Sequence, residues 1–78
     1  MTRGALGELL HADVQTGLSR HICGDWGDVC DDDKQANDEA LTCGARLLSA
    51  YHTGAGRKFW IITEADRSVT TVLLPEEY

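Results

Sequence analysis

Basic residues are scarce in this chain: seven Lys and Arg stand against thirteen Asp and Glu, and the formal net charge is -6. Direct binding to nucleic acid requires basic residues that neutralise phosphates, so this balance disfavours it. Binding to an anionic membrane surface is disfavoured for the same reason. The charge favours solubility and a basic protein partner.

Long apolar runs are absent too: no stretch reaches the length of a membrane span, and the start, MTRGALGELL, has no signal-peptide core. The cysteines are few and odd in number (Cys23, Cys30 and Cys43), whereas a small secreted domain normally carries an even set. We therefore expect a cytoplasmic protein with reduced thiols. The 78 residues predict one small acidic domain, 1–78, whose core an oligomer would enlarge.

Metal-binding spacings are missing as well. His21 and Cys23 form an H-x-C pair, but the paired C-x2-4-C spacing typical of structural zinc sites does not occur. A calcium-binding EF-hand loop that began at Asp31 would need a glycine where Ala36 stands and an acid where Thr42 stands. The sequence thus predicts no metal site, and no motif predicts a cofactor.

No credible catalytic set is present. Nucleophilic catalysis requires a thiol or hydroxyl, a base and an orienting group within hydrogen-bond reach. His21 and Cys23 are two residues apart, and on a helix such residues point to different faces. His52 and Ser49 are three apart on a predicted strand, where odd separations face oppositely. We therefore expect a protein that is not an enzyme.

The C-terminal half alternates as β-strands do. Strands are predicted over Arg46–Thr53, Arg57–Glu64 and Val69–Pro75, separated by turns at 54–56 and 65–68. These short connections, the first of which contains two glycines, predict a three-stranded antiparallel meander. Both faces of the middle strand are apolar. One face must meet helices, and the other is exposed or meets further protein, such as a second copy in a homodimer.

The N-terminal half predicts two helices. The first runs over residues 13–24. The second begins at Asp31 or Asp32, with Gln35 as the capping-box partner of Asp32, and ends at Gly44.

The fold class predicted is α+β, with the two helices packed on the meander. The segment Gly4–Leu10 is either a helical turn or a strand at one edge of the sheet, because Gly7 weakens both assignments.

Acids cluster between residues 25 and 39, where seven of them meet one base, Lys34: Asp25, Asp28, Asp31, Asp32, Asp33, Asp38 and Glu39. One interpretation is the solvated face of a capped helix. The other is a binding surface, since helical residues rise about 1.5 Å each and duplex DNA carries roughly one charge per 1.7 Å. Acids on one helix face would then imitate the charge row of a nucleic-acid backbone. The acids 31–33 have a structural reason at a helix start, which makes the other four the better test.

Trp26 lies in the middle of GDWGD, flanked by glycines and acids. Its side chain either folds back onto the core or anchors a partner, because tryptophan is enriched among binding hot spots.

A second acidic patch is predicted near the C-terminal end, formed by Glu64, Asp66, Glu76 and Glu77. These acids either stabilise the turn and pair with Arg67, or extend the negative surface beyond the helix.

Four segments resemble a family of small, uncharacterised plasmid-related proteins carried by bacterial mobile elements: RHICGDWGDV, ND-x-AL, RLLSAYHT and WIITEADRSVTTVLLPEEY. The resemblance covers Arg20 to Tyr78. The chain departs from the family pattern in its three cysteines and in its N-terminal twenty residues. The resemblance implies a non-enzymatic protein with an anti-defence or plasmid-maintenance role, including inhibition of CRISPR effectors.

The residues and the resemblance together predict an anti-CRISPR inhibitor that binds a basic surface of an effector complex and blocks nucleic-acid access. The acids of 25–39 would supply the charge and Trp26 an anchor. The alternative is a plasmid-maintenance or structural module that binds protein through the apolar sheet face, with acids that only solubilise it.

Overall fold

The computed structural model describes all 78 residues except the side chain of Glu8. Three helices precede a three-stranded sheet, and a short 3-10 turn follows it, so the predicted α+β class is confirmed. The helices are α1 (Arg3–Glu8), α2 (His11–Ile22) and α3 (Asp31–Cys43). The strands are β1 (Leu47–His52), β2 (Lys58–Thr63) and β3 (Thr70–Leu73), and the 3-10 turn is Pro75–Glu77. None of the helices in this described part is long and apolar enough to cross a membrane.

The sheet is the predicted antiparallel meander, in the order β1-β2-β3. Tyr51 pairs with Phe59, and Ile61 pairs with Val72, so their side chains share one face. This face meets α1 and α2 in the main core, and Phe59 and Ile61 are fully buried there. Burying large apolar side chains of this kind is the main favourable term in a domain this small.

The first segment is helical, so the alternative of an edge strand over Gly4–Leu10 is wrong. Thr2 caps α1 by accepting a hydrogen bond from the Ala5 backbone nitrogen at 3.3 Å. The Leu9 nitrogen donates to the Ala5 carbonyl at 3.0 Å, which is the bond between residues four apart that defines an α-helix, and both residues enter the main core. The fold therefore has three helices before the sheet, one more than predicted.

The predicted capping of α3 is also wrong. The N-cap is Cys30, and no side-chain cap hydrogen bond forms there. Asp32 lies inside the first turn, and Gln35 donates to Glu39 at 3.2 Å instead of completing a capping box. The first-turn acids still suit the positive end of the helix dipole. The predicted stop is correct, since Gly44 adopts a left-handed conformation (φ +77°).

The second face of the sheet is less exposed than its apolar residues suggested. Ile62 and Leu73 are buried, while Trp60 is half-buried. The Tyr78 ring contacts Trp60 edge-on at 5.5 Å between centroids, and the Arg46 guanidinium lies 5.7 Å from the centre of the Tyr78 ring. The chain thus covers part of this face itself, which corrects the expectation of a broad open apolar patch.

Candidate functional site

The acidic helix α3 is attached to the free edge of β1 by one buried side chain. Asn37 is 4 % exposed. Its Nδ2 donates to the Leu48 carbonyl at 2.6 Å, and its Oδ1 accepts from the Leu48 backbone nitrogen at 3.0 Å. The amide therefore satisfies both backbone groups that a further strand would have paired, and it closes this edge of the sheet.

The C-terminal end of α3 is held by an arginine from the turn after β2. Arg67 donates to the Ala40 carbonyl at 2.9 Å and to the Ala45 carbonyl at 2.6 Å. The Ala40 carbonyl also accepts from the Gly44 nitrogen at 2.9 Å, so the guanidinium adds a second bond there. Its positive charge suits the negative end of the helix dipole. This corrects the predicted pairing of Arg67 with the Glu64 or Glu76 carboxylate, because its guanidinium donates to backbone oxygens instead.

The GDWGD loop covers the next part of the β1 edge. The Trp26 carbonyl accepts from the Ala50 nitrogen at 3.1 Å, and the Asp28 nitrogen donates to the Ala50 carbonyl at 2.7 Å. Gly27, between them, has φ +73°, and a Cβ there would lie 2.0 Å from the Ala50 oxygen. Glycine is needed at this position because both the backbone angle and the close approach exclude a side chain.

Trp26 is a core residue, which corrects its prediction as an exposed anchor. Its side chain is 4 % exposed and packs with Ala40 and Leu47. The indole Nε1 donates to Asp38 Oδ1 at 3.0 Å, and the ring meets His21 edge-on at 5.6 Å between centroids. The interpretation that the tryptophan folds back onto the core is therefore the correct one.

The outer surface of α3 carries acids in two rows. Only Asn37 and Ala40 of this helix are buried. Residues seven apart lie on the same side of a helix, about 10.5 Å apart along its axis. One row is Asp31 and Asp38, the other is Asp32 and Glu39, and all four are exposed. We call these four residues the acidic face. Asp33 is exposed too, but it lies four residues before Asn37 and hence on the flank toward the sheet.

The two loop acids are paired with bases of the same chain. Asp25 accepts from Arg20 Nε at 2.7 Å and Nη2 at 3.2 Å, and this contact holds the pKa of the Asp25 carboxyl below its usual value. Asp28 Oδ2 lies 2.5 Å from His52 Nδ1. Part of the charge of Asp25 is therefore compensated inside the molecule, and the Asp28 carboxylate has an imidazole partner.

The acids of 25–39 were expected to divide into three with a structural reason (31–33) and four without one, and the structure changes this division. Asp25, Asp28, Asp38 and Glu39 were the acids without a structural reason, yet each has an internal partner. The acidic face keeps its net charge all the same, because the partners of Asp38 and Glu39 are the neutral groups of Trp26 and Gln35.

The second acidic patch consists of individually engaged residues. Glu64 lies 3.7 Å from Arg46, and Glu76 pairs with Arg57. Asp66 accepts from the Ser68 nitrogen and hydroxyl, which lowers the pKa of its carboxyl. Glu77 accepts from the Thr2 hydroxyl at 2.5 Å, which likewise lowers its pKa. These contacts favour the structural interpretation of Glu64, Asp66, Glu76 and Glu77.

A buried polar cluster that the sequence did not reveal joins α2 to all three strands. His21, 6 % exposed, places Nδ1 2.5 Å from Ser49 Oγ and Nε2 2.8 Å from Thr63 Oγ1. Thr63 Oγ1 lies 3.0 Å from Thr70 Oγ1. Burial lowers the pKa of His21, so the imidazole is neutral and one nitrogen donates while the other accepts.

The contact between His21 and Ser49 resembles a base and a nucleophile, but the hydroxyl that would act as the nucleophile does not reach the surface. Ser49 is fully buried at 0 % exposure. The other imidazole nitrogen faces a threonine hydroxyl, whereas a catalytic histidine is usually oriented by a carboxylate. The arrangement is therefore a structural hydrogen-bond network.

An apolar groove of about 420 Å³ opens beside this cluster, between α2 and α3. Leu18 and Ile22 of α2, Leu41 of α3 and Leu47 of β1 line it, together with the Trp26 ring. Ile22 and Leu41 are 82 % and 58 % exposed, so the rim of the groove faces solvent. Both residues extend beyond the edge of the core.

The cysteines do not come together with His21. Cys23, Cys30 and Cys43 are exposed free thiols, and both ring nitrogens of His21 are occupied by hydroxyls. Among the residues that the structure describes, no group of three or more His, Cys, Asp or Glu side chains is placed to hold a metal ion.

Comparison of the chain with protein-family models, with curated proteins and with solved structures finds no match in any of the three.

Proposed function

We propose that this chain is a non-enzymatic inhibitor that binds a basic surface of a nucleic-acid-handling complex through the acidic face of α3. The observation that supports the proposal most is the exposure of α3. Only two of its residues are buried, and it presents four acids to solvent: Asp31, Asp32, Asp38 and Glu39. The helix closes the β1 edge with Asn37 and leaves these four carboxylates facing solvent, where a partner can reach them.

The physical mechanism is competition for a basic channel. The four carboxylates form two rows, and the two members of each row lie about 10.5 Å apart along the helix axis. The negative charge therefore extends over a length similar to three phosphate steps of one DNA strand. A channel that attracts phosphates attracts this face by the same field, and association is fast and weakens with salt. Bound protein then occupies the space that nucleic acid needs.

The resemblance to plasmid-related proteins of mobile elements favours a CRISPR effector complex as the target and the cytoplasm as the compartment. Such complexes hold a guide–target heteroduplex in a positively charged channel. The protein itself is an unsuitable ligand for nucleic acid, since its net charge is -6.

The alternative function, a module that binds protein through its sheet, has weaker support. The second sheet face is partly covered by Tyr78 and Arg46, and Ile62 and Leu73 are buried. The same contacts leave less exposed apolar surface for a homodimer through that face.

The test compares two variants of equal net charge. The face variant carries Asp31→Asn, Asp32→Asn, Asp38→Asn and Glu39→Gln. The control variant carries Asp13→Asn, Glu64→Gln, Asp66→Asn and Glu76→Gln. Each loses four negative charges, and Asn at position 38 still offers an oxygen to the Trp26 indole.

Purified CRISPR effector complexes of several types are assayed for binding to wild type and to both variants at 50 mM and 300 mM salt. We expect binding to at least one complex that weakens by about tenfold or more at the higher salt. It should be lost in the face variant and kept in the control. Equal loss in both variants would show that total charge, and not the acidic face, is responsible.

A further inference from the structure

The apolar groove and the acidic face share one flank of α3. Leu41 lines the groove and lies three residues after Asp38, so the two side chains are neighbours on the helix. Trp26, which forms part of the groove wall, donates its indole N–H to Asp38. A carboxylate therefore sits at the rim of an apolar cavity, and Asp31 continues the row two turns earlier.

The rim of the groove is unusual for so small a domain. Ile22 is 82 % exposed and Leu41 is 58 % exposed, on either side of one cavity of about 420 Å³. Scattered exposed apolar residues need no explanation, but a pair that borders an apolar cavity is typical of an interaction site.

The surroundings select among the candidate occupants. A second copy of this chain would bring two acidic faces close to each other, and each chain has a net charge of -6. A small polar ligand would find few free polar groups, because the His21 nitrogens already meet Ser49 and Thr63. An apolar side chain from a basic segment matches both the cavity and the neighbouring carboxylates.

We propose that the groove between Ile22 and Leu41 receives a bulky apolar side chain of the partner, carried on a segment whose Lys or Arg residues meet Asp31 and Asp38. This rests on the proposed function and adds to it the chemistry of the bound segment: basic, with one apolar anchor. The acidic face supplies the long-range attraction, and the groove supplies the part of the affinity that salt does not weaken.

The test uses synthetic peptides and the intrinsic fluorescence of Trp26, in protein that carries Trp60→Phe so that Trp26 is the single indole. Three twelve-residue helical peptides are compared: a Lys-rich peptide with one central Phe, the same peptide with Ala for Phe, and a Phe peptide with Gln for every Lys. We expect the basic Phe peptide to bind about tenfold or more tightly than either of the others.

Groove variants identify the contact. Ile22→Gln with Leu41→Gln should bring the affinity ratio of the Phe and Ala peptides close to one. The matched control, Leu6→Gln with Leu10→Gln, alters two leucines that are each 71 % exposed and lie outside the groove, and it should leave the ratio unchanged. Circular dichroism confirms that all variants remain folded.

Each contrary result has a distinct meaning. Equal binding of the Phe and Ala basic peptides overturns the anchor, while the proposed function survives if both weaken with the face variant. Equal binding of the Lys and Gln peptides shows an occupant that is not basic and also overturns the inference. A dimer in sedimentation analysis that the groove variant abolishes assigns the groove to a second copy. Absence of binding by every peptide at low salt overturns the inference as well.

Discussion

Replacement of Asn37 by Ala tests how the acidic helix is attached to the sheet. The change removes two hydrogen bonds, of 2.6 Å and 3.0 Å, and leaves the Leu48 nitrogen and carbonyl without their partners. Removing one partner costs the desolvation of the group left unpaired, about 1–3 kcal/mol when that group is buried. Both contacts are part-buried, so we expect about 1–2 kcal/mol for each of the two backbone groups. We therefore expect a loss of about 2–4 kcal/mol, a large part of the roughly 4–12 kcal/mol typical of a domain this size.

Urea unfolding followed by circular dichroism measures this loss, and the melting temperature should fall by roughly 10–30 °C. Gln35→Ala is the matched control on the same helix. Its side chain is exposed and contacts Glu39 alone among the contacts described, so we expect a change below about 0.5 kcal/mol. A loss for Asn37→Ala as small as that of the control would refute the role of Asn37 in joining α3 to β1.

Asn37→Asp separates the hydrogen bonds from simple packing. The carboxylate keeps the acceptor for the Leu48 nitrogen but opposes the Leu48 carbonyl, so its pKa in the folded state should rise above the unfolded value. Compared with wild type, this variant should be least stable near pH 7 and should regain stability as the pH falls and the carboxyl becomes a donor. A stability difference independent of pH would contradict the hydrogen-bond explanation.

Three further outcomes are expected. Burial lowers the pKa of His21, so the unfolded state takes up a proton first as the pH falls. The contribution of His21 to wild-type stability should therefore fall as the pH drops from about 7 through 6.5, and it should level off below the folded pKa. Urea midpoints measured over this pH range should lose the slope in His21→Gln. Gly27→Ala should cost about 3 kcal/mol or more because a Cβ would lie 2.0 Å from a β1 carbonyl oxygen, whereas Gly44→Ala, in open space at φ +77°, should cost about 1 kcal/mol in the same thermal melts. In protein carrying Trp60→Phe, the buried Trp26 should be quenched weakly by acrylamide, and strong quenching would contradict its place in the core.

The strands were predictable because the signals for them are local. β1, β2 and β3 lie within the predicted ranges, since alternation with a period of two and short turns are signals carried by neighbouring residues. The stop at Gly44 was predictable for the same reason, because a left-handed C-cap is a property of one residue.

Contacts between distant residues were not predictable from the sequence. Asn37 and Leu48 are eleven residues apart, and His21 and Thr63 are forty-two apart. The sequence did carry a signal for Asn37 and for His21. Each lies on the buried stripe of its helix, where an apolar residue is expected. A polar residue in such a stripe indicates a buried partner without identifying it.

The acidic face was predictable in part. The sequence placed acids on one helix, and helical spacing arranges them in rows. The internal partners of Asp25 and Asp28 could not be assigned, because Arg20 and His52 belong to other elements. The apolar groove was missed, because it forms only where α2 and α3 meet the end of the sheet.

Competition between this protein and DNA tests the central proposal most directly. A CRISPR effector complex that binds wild type is loaded with guide RNA and titrated with fluorescent target DNA, in the presence of wild type, the face variant or the control variant of equal charge. We expect wild type and control to displace the DNA at similar concentrations, and the face variant to require at least tenfold more. Displacement by the face variant at the wild-type concentration, or binding of wild type without any loss of DNA, would contradict the proposal.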